Sequence, residues 1–418
     1  MEAPITGAGL KSPIEKAKRR MRVLFVDDEP PVLNILSVAM RPMAKEWDTH
    51  FAESGELALK MIEEKPFDVV VSDMRMPKMN GAQLLNQVLR QHPQTVRIVL
   101  SGYSDLREAM SCVGVVHQFL QKPCDLAELR SCIRRVSALE NQIQHDGLRA
   151  FTAGLPNLPS APDIYMQMLE ALESPNSSAQ RIADIASEDP ALSAKLLQLC
   201  NSAFFGFSRE VCSVEEAVQL LGVGILQSMA LAVPMFSDFE KAKCPQFPLE
   251  QIWNHSAQTG LLARWIAHHH LPHGTQLSEP AFAAGVLHDL GKLIIAENLP
   301  QEYGKVLQES REHSLPLFEV ERKTFGATHA DVGAYLLTLW GLPLPLIEGV
   351  AYHHEPQLFG ANEFGLVGAV HVANSLEREH YKVPGIVPSP INLAYAESVG
   401  IAGQLDKWRQ GFVDGEAG

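Results

Sequence analysis

Between Met21 and about Val136 the chain alternates short apolar runs with amphipathic stretches, the pattern that gives a parallel sheet wrapped by helices. Val23 to Val26, Val69 to Ser72, Ile98 to Leu100 and Val115 to Leu120 read as strands, and a shorter one is expected around Thr49 to Ala52. Val32, Ile35, Leu36, Ala39 and Met40 recur at helical spacing, which predicts that they share the buried face of one helix. About 115 residues holding roughly five such units fit an α/β doubly wound, flavodoxin-like parallel sheet, whose ligand site lies at the carboxyl ends of its strands.

After Pro156 the strand signal disappears and helical periodicity takes over, as in Ile182, Ile185 and Ala186 and again in Leu192, Leu196 and Leu199. The division expected is a flexible basic leader over 1–20, the α/β domain over 21–136 and a linker helix over 137–147. An all-helical domain over 148–380 follows, then a C-terminal helix with a frayed tail over 381–418. Leu129, Ile133, Val136 and Ile143 form a seam along the bridge, interrupted by Glu140. That seam fits either the last helix of the α/β domain lying on its own sheet or a signalling helix that pairs two copies in a homodimer.

Apolar residues make up 46% and charged residues 20% of 418, so the chain can build more than one core. Lys and Arg number 35 against 49 Asp and Glu, and the net charge of −14 argues against a broad electropositive face for a DNA backbone or anionic lipid. Direct DNA binding is not expected. The basic run Lys16, Lys18, Arg19 and Arg20 reads as a solvated leader. No apolar run has the length of a membrane span, and residues 1–20 lack the apolar region of a secretory signal, so a cytoplasmic protein without membrane insertion is expected. Cys112, Cys124, Cys132, Cys200, Cys212 and Cys244 include no C-x-x-C pair and are expected as free thiols.

Asp27 and Asp28 follow the first strand, Asp73 ends the third, Ser101 the fourth and Lys122 the fifth, so all five converge on one sheet edge. Carboxylates pressed together repel unless a cation lies among them, and clustered hard oxygens suit Mg²⁺. With Mg²⁺ in place, Asp73 can act as the nucleophile on a phosphoryl donor while Lys122 offsets charge on the transferred oxygens. The surrounding D-D-E, S-D-M-R-M-P-K-M-N-G and L-Q-K-P segments resemble the receiver domain family over about residues 21–136. That resemblance implies that Asp73 is the phosphoacceptor and that Asp27, Asp28, Asp73 and the backbone carbonyl of Arg75 bind Mg²⁺. It further implies that Ser101 and Lys122 contact the phosphoryl group, that Phe119 is the switch aromatic, and that Lys122–Pro123 is a cis peptide.

The second half concentrates histidines: His255, His288 with Asp289, His329, and the pair His353 and His354. A His-Asp doublet backed by histidines of other helices can enclose a divalent metal and activate water for phosphoester hydrolysis. His268, His269, His270 and His273 follow Trp265 at a helix end and read as solvated surface. The segments L-P-N-L-P-S-A-P from Leu155, E-D-P-A-L-S-A-K-L-L from Glu188, N-S-A-F-F-G from Asn201 and E-A-V-Q-L-L-G from Glu216 resemble the HDOD branch of the HD superfamily. Together with the histidines they extend the match from about 148 to 375. Against the active members of that superfamily, this chain has Asn374 where a late Asp is expected, Gln251 where HD-GYP proteins have a Glu, and no G-Y-P motif. Loss of two carboxylates predicts weak metal binding or none at this vestigial site, and no hydrolysis of cyclic-di-GMP.

The resemblance as a whole implies a two-component response regulator. Its receiver would take phosphate from a sensor histidine kinase or phosphotransfer protein and control an HDOD module acting on a downstream protein or nucleotide ligand. The alternative is a metal-dependent phosphohydrolase or phosphodiesterase that still uses the histidine set.

Overall fold

The structure, a computed structural model, describes residues 20–101, 115–140, 274–360, 363–381 and 387–413, with parts of 152–271. The first half is a five-stranded parallel sheet in the order β2-β1-β3-β4-β5. The strands are β1 (Met21–Val26), β2 (Trp47–Ala52), β3 (Val69–Asp73), β4 (Val96–Ser101) and β5 (Gln118–Gln121). β1, β3 and β4 are buried along their whole length, as central strands covered on both faces must be, whereas β2 at the edge is partly open. β5 is shorter than expected and starts at Gln118, because Val115 lies in a turn.

Around the sheet lie α1 (Pro30–Met40), α2 (Gly55–Glu64), α3 (Gly81–Gln91) and α4 (Leu126–Glu140). The expected buried face of α1 needs correction: Leu33, Leu36 and Met40 are buried, and Ile35 is 59% exposed. Leu33 continues the i, i+3, i+7 stripe, which turns Ile35 and Val38 to the outside. On α4, Leu129, Cys132 and Ile133 are fully buried, so this stretch packs within the chain as the last helix on its own sheet. The side chain of Val136, and all of Ile143 and the bridge beyond Glu140, lie outside the described residues.

The second half is helical: α5 (Ala179–Ser187), α6 (Pro190–Asn201), α7 (Val214–Leu221), α8 (Leu249–His270), α9 (Gly274–Leu287), α10 (Leu290–Asn298) and α11 (Pro300–His313). It continues with α12 (Leu317–Phe325), α13 (His329–Leu339), α14 (Leu344–Ala351), α15 (Leu366–His380), α16 (Leu393–Ser398) and α17 (Leu405–Val413). Asp189 explains the E-D-P motif: its Oδ1 accepts from the backbone N–H of Ala191 and Leu192, capping α6 with Pro190 at its first turn.

One expectation fails here. A pair of three-residue parallel strands, β6 (Leu158–Ser160) and β7 (Phe236–Asp238), interrupts the helical half. The C-terminal helix expected after residue 381 is α17, preceded by the short α16; it seats Trp408, fully buried, against His270 and Phe364, and residues 414–418, where the tail was expected, lie outside the described residues. That contact also holds His270 partly buried, while His268 and His269 are exposed and His273 lies outside the described residues.

The two halves meet at β5. Gln118, buried, donates through Nε2 to the carbonyl of Thr338 on α13 at 3.0 Å and accepts at Oε1 from Cys132 Sγ on α4 at 2.8 Å. Both ends of a buried amide are thus used, which fixes where α13 sits on the sheet edge. Cys124, Cys132, Cys200, Cys212 and Cys244 are free thiols, and Cys112 lies outside the described residues. Among the described residues no helix is long and apolar enough to cross a membrane.

Candidate functional site

At the sheet's carboxyl edge, oxygens of Asp27, Asp28 and Asp73 all lie within 4.8 Å of one another. Parallel register brings them together, since Val26 pairs with Ser72 and Asp73 with Leu100, next to Ser101. Lys122 Nζ reaches both Asp27 Oδ2 at 2.9 Å and Asp73 Oδ1 at 2.6 Å. Burial pushes the Asp73 carboxyl above its ordinary pKa, against the pull of Lys122. Burial alone would lower the Lys122 ammonium, but its bonds to Asp73 and Asp27 leave it raised, so it stays charged at neutral pH. The donor set is hard oxygen at short mutual distance, which fits Mg²⁺.

Gly81 is part of this construction: a Cβ there would stand 2.2 Å from the Asp73 carbonyl oxygen, so only glycine lets α3 start against the acidic strand end. Arg75, two residues past Asp73, is exposed, Ser101 is buried at the end of β4, and Phe119 is buried on β5. Lys122–Pro123 is cis.

The histidines of the second half converge as well. His255 comes from mid α8, His288 and Asp289 from the junction of α9 and α10, His329 from the first residue of α13, and His353 and His354 from the end of α14. Two groups of ligand atoms, each within 4.8 Å, share Asp289: one with His255 and His288, the other with His329, His353 and His354. Asp289 lies 3.3 Å from His288 Nε2, 3.2 Å from His329 Nε2, 3.7 Å from His255 Nε2 and 3.9 Å from His353 Nε2.

Four of these rings are anchored from behind. His288 Nδ1 donates to the Gly285 carbonyl at 2.6 Å and His353 Nδ1 to that of Val350 at 2.7 Å. His329 Nδ1 donates to Glu321 at 2.6 Å, and His255 Nδ1 to Glu377. An acceptor at Nδ1 fixes the proton there and turns the Nε2 lone pair toward Asp289. Burial holds His255, His353 and His354 well below the ordinary imidazole pKa and His288 at about 4. His329 is raised: burial pulls it down, but Glu321 and Asp289 outweigh that. Burial would raise Asp289, yet His288 and Lys292 hold it well below the carboxylate range.

Lone pairs then face one another at His255 Nε2 and His288 Nε2, 3.1 Å apart, while His329 Nε2 and His354 Nε2 stand within hydrogen-bond distance at 2.9 Å. Asp289 Oδ1 and His353 Nε2 are buried without a hydrogen-bond partner. Facing lone pairs and an orphaned carboxylate oxygen are what a cation resolves, so the residues present fit one or two divalent ions.

Glu321 and Glu377 were missed in the sequence, where each sits in a charged helical run that resembles a solvated face. The reasoning from the amides also changes: Gln251 is exposed on α8 and does not approach the cage. Asn374 does, with Oδ1 at 3.0 Å from His255 Nε2. Gly291, in the H-D-L-G-K segment, brings α10 against α13; a Cβ there would lie 1.9 Å from the His329 carbonyl oxygen.

An acidic edge on a doubly wound sheet, joined to a helical domain with a histidine cage, fits a signalling protein of receiver-plus-output type. Comparison with known families agrees: residues 23–134 match the response regulator receiver domain and residues 158–356 the HDOD domain, so the chain consists of an N-terminal receiver domain and a C-terminal HDOD domain. An uncharacterized protein of Treponema pallidum is 28% identical over 219 residues, 52% of this chain and 42% of that protein. The response regulator protein PilR of Pseudomonas aeruginosa is 32% identical over 123 residues, 29% of this chain and 27% of PilR. The chain thus spans less than half the length of these relatives. Similar solved structures include the MmoQ response regulator of Methylococcus capsulatus, 23% identical with a TM-score of 0.47 over 60% of this chain and 98% of that one. A virulence factor of Campylobacter jejuni is 22% identical with a TM-score of 0.48, over 62% and 92%.

Proposed function

We propose that the chain is a cytoplasmic, phosphorylation-controlled response regulator. Asp73 accepts a phosphoryl group from a sensor histidine kinase or phosphotransfer protein, and the HDOD half delivers the output by engaging a protein or small ligand. The carrying observation is the clustering of Asp27, Asp28 and Asp73 oxygens within 4.8 Å, with Lys122 bonded to two of the three residues. Mg²⁺, held by those carboxylates and the Arg75 carbonyl, would neutralise charge on the transferred oxygens. An Asp73 carboxylate oxygen attacks phosphorus as the bond to the donor nitrogen breaks, Lys122 stands beside the group, and Ser101 offers it a hydroxyl. The path to the output begins at β5, which Gln118 ties to α13, the helix that opens with His329.

The test is incorporation of acid-labile phosphate from a small phosphodonor with Mg²⁺. Wild type is expected to label, and Asp73→Asn and chelated wild type are not. Labelling of Asp73→Asn at the wild-type level refutes the reading.

The cage supports a second reading of the output, a metal-dependent phosphohydrolase, because four rings anchored at Nδ1 present Nε2 to one shared carboxylate. A bound divalent ion would supply a Lewis acid and an activated water. Lys292, bonded to Asp289 at 2.6 Å, tempers the charge of the bridging carboxylate and orients it.

A further inference from the structure

Beside the cage lies a cavity of about 50 Å³, lined among others by His329 and His354, by Lys292 from α10 and by Asn374 and Arg378 from α15. Its described lining contains no Asp or Glu. Arg378 is only 6% exposed, and its one described polar partner is the Glu377 carboxylate at 3.8 Å, beyond hydrogen-bond distance. Among the described residues no acceptor stands within hydrogen-bond distance of its guanidinium, so an anion entering the cavity would find N–H donors there. Asn374 stands one turn earlier on the same helix; with its Oδ1 turned to His255, its Nδ2 is buried without a partner. A guanidinium fork, an amide N–H and the Lys292 ammonium therefore border one small space whose described lining offers donors and no carboxylate, although Asp289 and Glu377 stand behind the two cations. At roughly 10–15 Å³ per water, the space suits a few waters or one tetrahedral oxyanion and not a nucleotide.

We propose that Arg378 and Asn374, with Lys292 beside them, form an oxyanion pocket that takes the phosphoryl group of free phosphate or of a small phosphomonoester against the cage. This rests on the reading of the cage as a metal site. It also gives the amide at 374 a role: its oxygen can join His255 as a ligand while its N–H serves the anion, which a carboxylate could not do. Arg378 is the donor that commits the pocket to dianions, since a fork aimed at two oxygens recognises phosphate bidentately.

The experiment is calorimetric titration of the full-length protein with inorganic phosphate, then with a small phosphomonoester, each on protein as purified and after chelation, with metal content measured in parallel. Wild type is expected to bind phosphate at millimolar concentration or below, and Arg378→Met to bind about tenfold or more weakly in both metal states, the loss of one charge-assisted pair. Asn374→Asp is expected to weaken phosphate binding while keeping or raising metal content. Arg378→Lys, which preserves charge and bulk, is expected to fall between and guards against a variant that merely misfolds. Absence of phosphate binding by wild type, or unchanged binding by Arg378→Met, overturns the pocket. Absence of metal with phosphate binding intact overturns the cage reading alone. Tighter binding of the phosphomonoester than of phosphate assigns the pocket to a substrate's end, and the reverse assigns it to a free anion.

Discussion

Glu321 is the least legible member of the cage, and replacing it with glutamine has an effect that can be worked out from its contacts. The side chain is fully buried, with Oε2 accepting from His329 N at 2.8 Å and His329 Nδ1 at 2.6 Å, and Oε1 accepting from the Tyr303 hydroxyl at 2.8 Å. In Glu321→Gln the amide oxygen can keep the two His329 bonds, but each passes from a charged acceptor, worth about 1.5–3 kcal/mol, to a neutral one, worth about 0.5–1.5. The amide NH₂ then faces Tyr303, whose hydroxyl hydrogen loses its acceptor at a cost of about 1 kcal/mol or more. The sum is about 3 kcal/mol. Loss of the carboxylate behind His329 also removes the main influence raising its basicity, so metal affinity should fall by about 10–100-fold. Urea denaturation of the HDOD transition and competitive metal titration measure the two effects. Stability within about 0.5 kcal/mol of wild type together with unchanged metal affinity would refute the orienting role of Glu321.

Gly291→Ala places a methyl 1.9 Å from the His329 carbonyl oxygen, so α10 and α13 must separate. Overpacking of about 2–3 kcal/mol should lower the melting midpoint by roughly 5–10 °C, and a change below 1 °C would contradict the close contact. Lys195, fully buried over the Trp340 ring at 5.0 Å, has its pKa lowered by burial to about 7. Its folded value lies below its unfolded one, so the charge penalty is complete below pH 7 and fades as pH rises toward about 10, where the unfolded lysine also loses its proton. Relative to wild type, Lys195→Met should therefore be most favoured at pH 6, and its gain should shrink by pH 9. Thermal melts across that range check it, and a gain that grows with pH reverses the sign.

The receiver half was largely readable because a buried parallel strand is a continuous apolar run and the acidic residues sit at strand ends. The face of α1 was misread because Ile35 and Val38 are apolar yet exposed, and periodicity cannot tell a core stripe from an apolar one beside it. β6 and β7 were invisible: three residues are too few for a period of two, and one strand contains Pro159. In the second half the histidines stood out by type, but Glu321 lies within E-V-E-R-K and Glu377 within L-E-R-E-H, where spacing alone cannot show which carboxylate turns inward. Asn374 was identified as a departure from the family; its unpartnered N–H became visible only with the neighbouring Arg378 in place.

Elemental analysis of the full-length protein, purified without chelators and saturated with Mn, Fe or Zn before gel filtration, tests the cage most directly. The expected result is about one to two equivalents of metal retained per chain, lost in Asp289→Asn because that carboxylate is shared by both ligand groups. Retention well below one equivalent in wild type, or equal retention in Asp289→Asn, would contradict it.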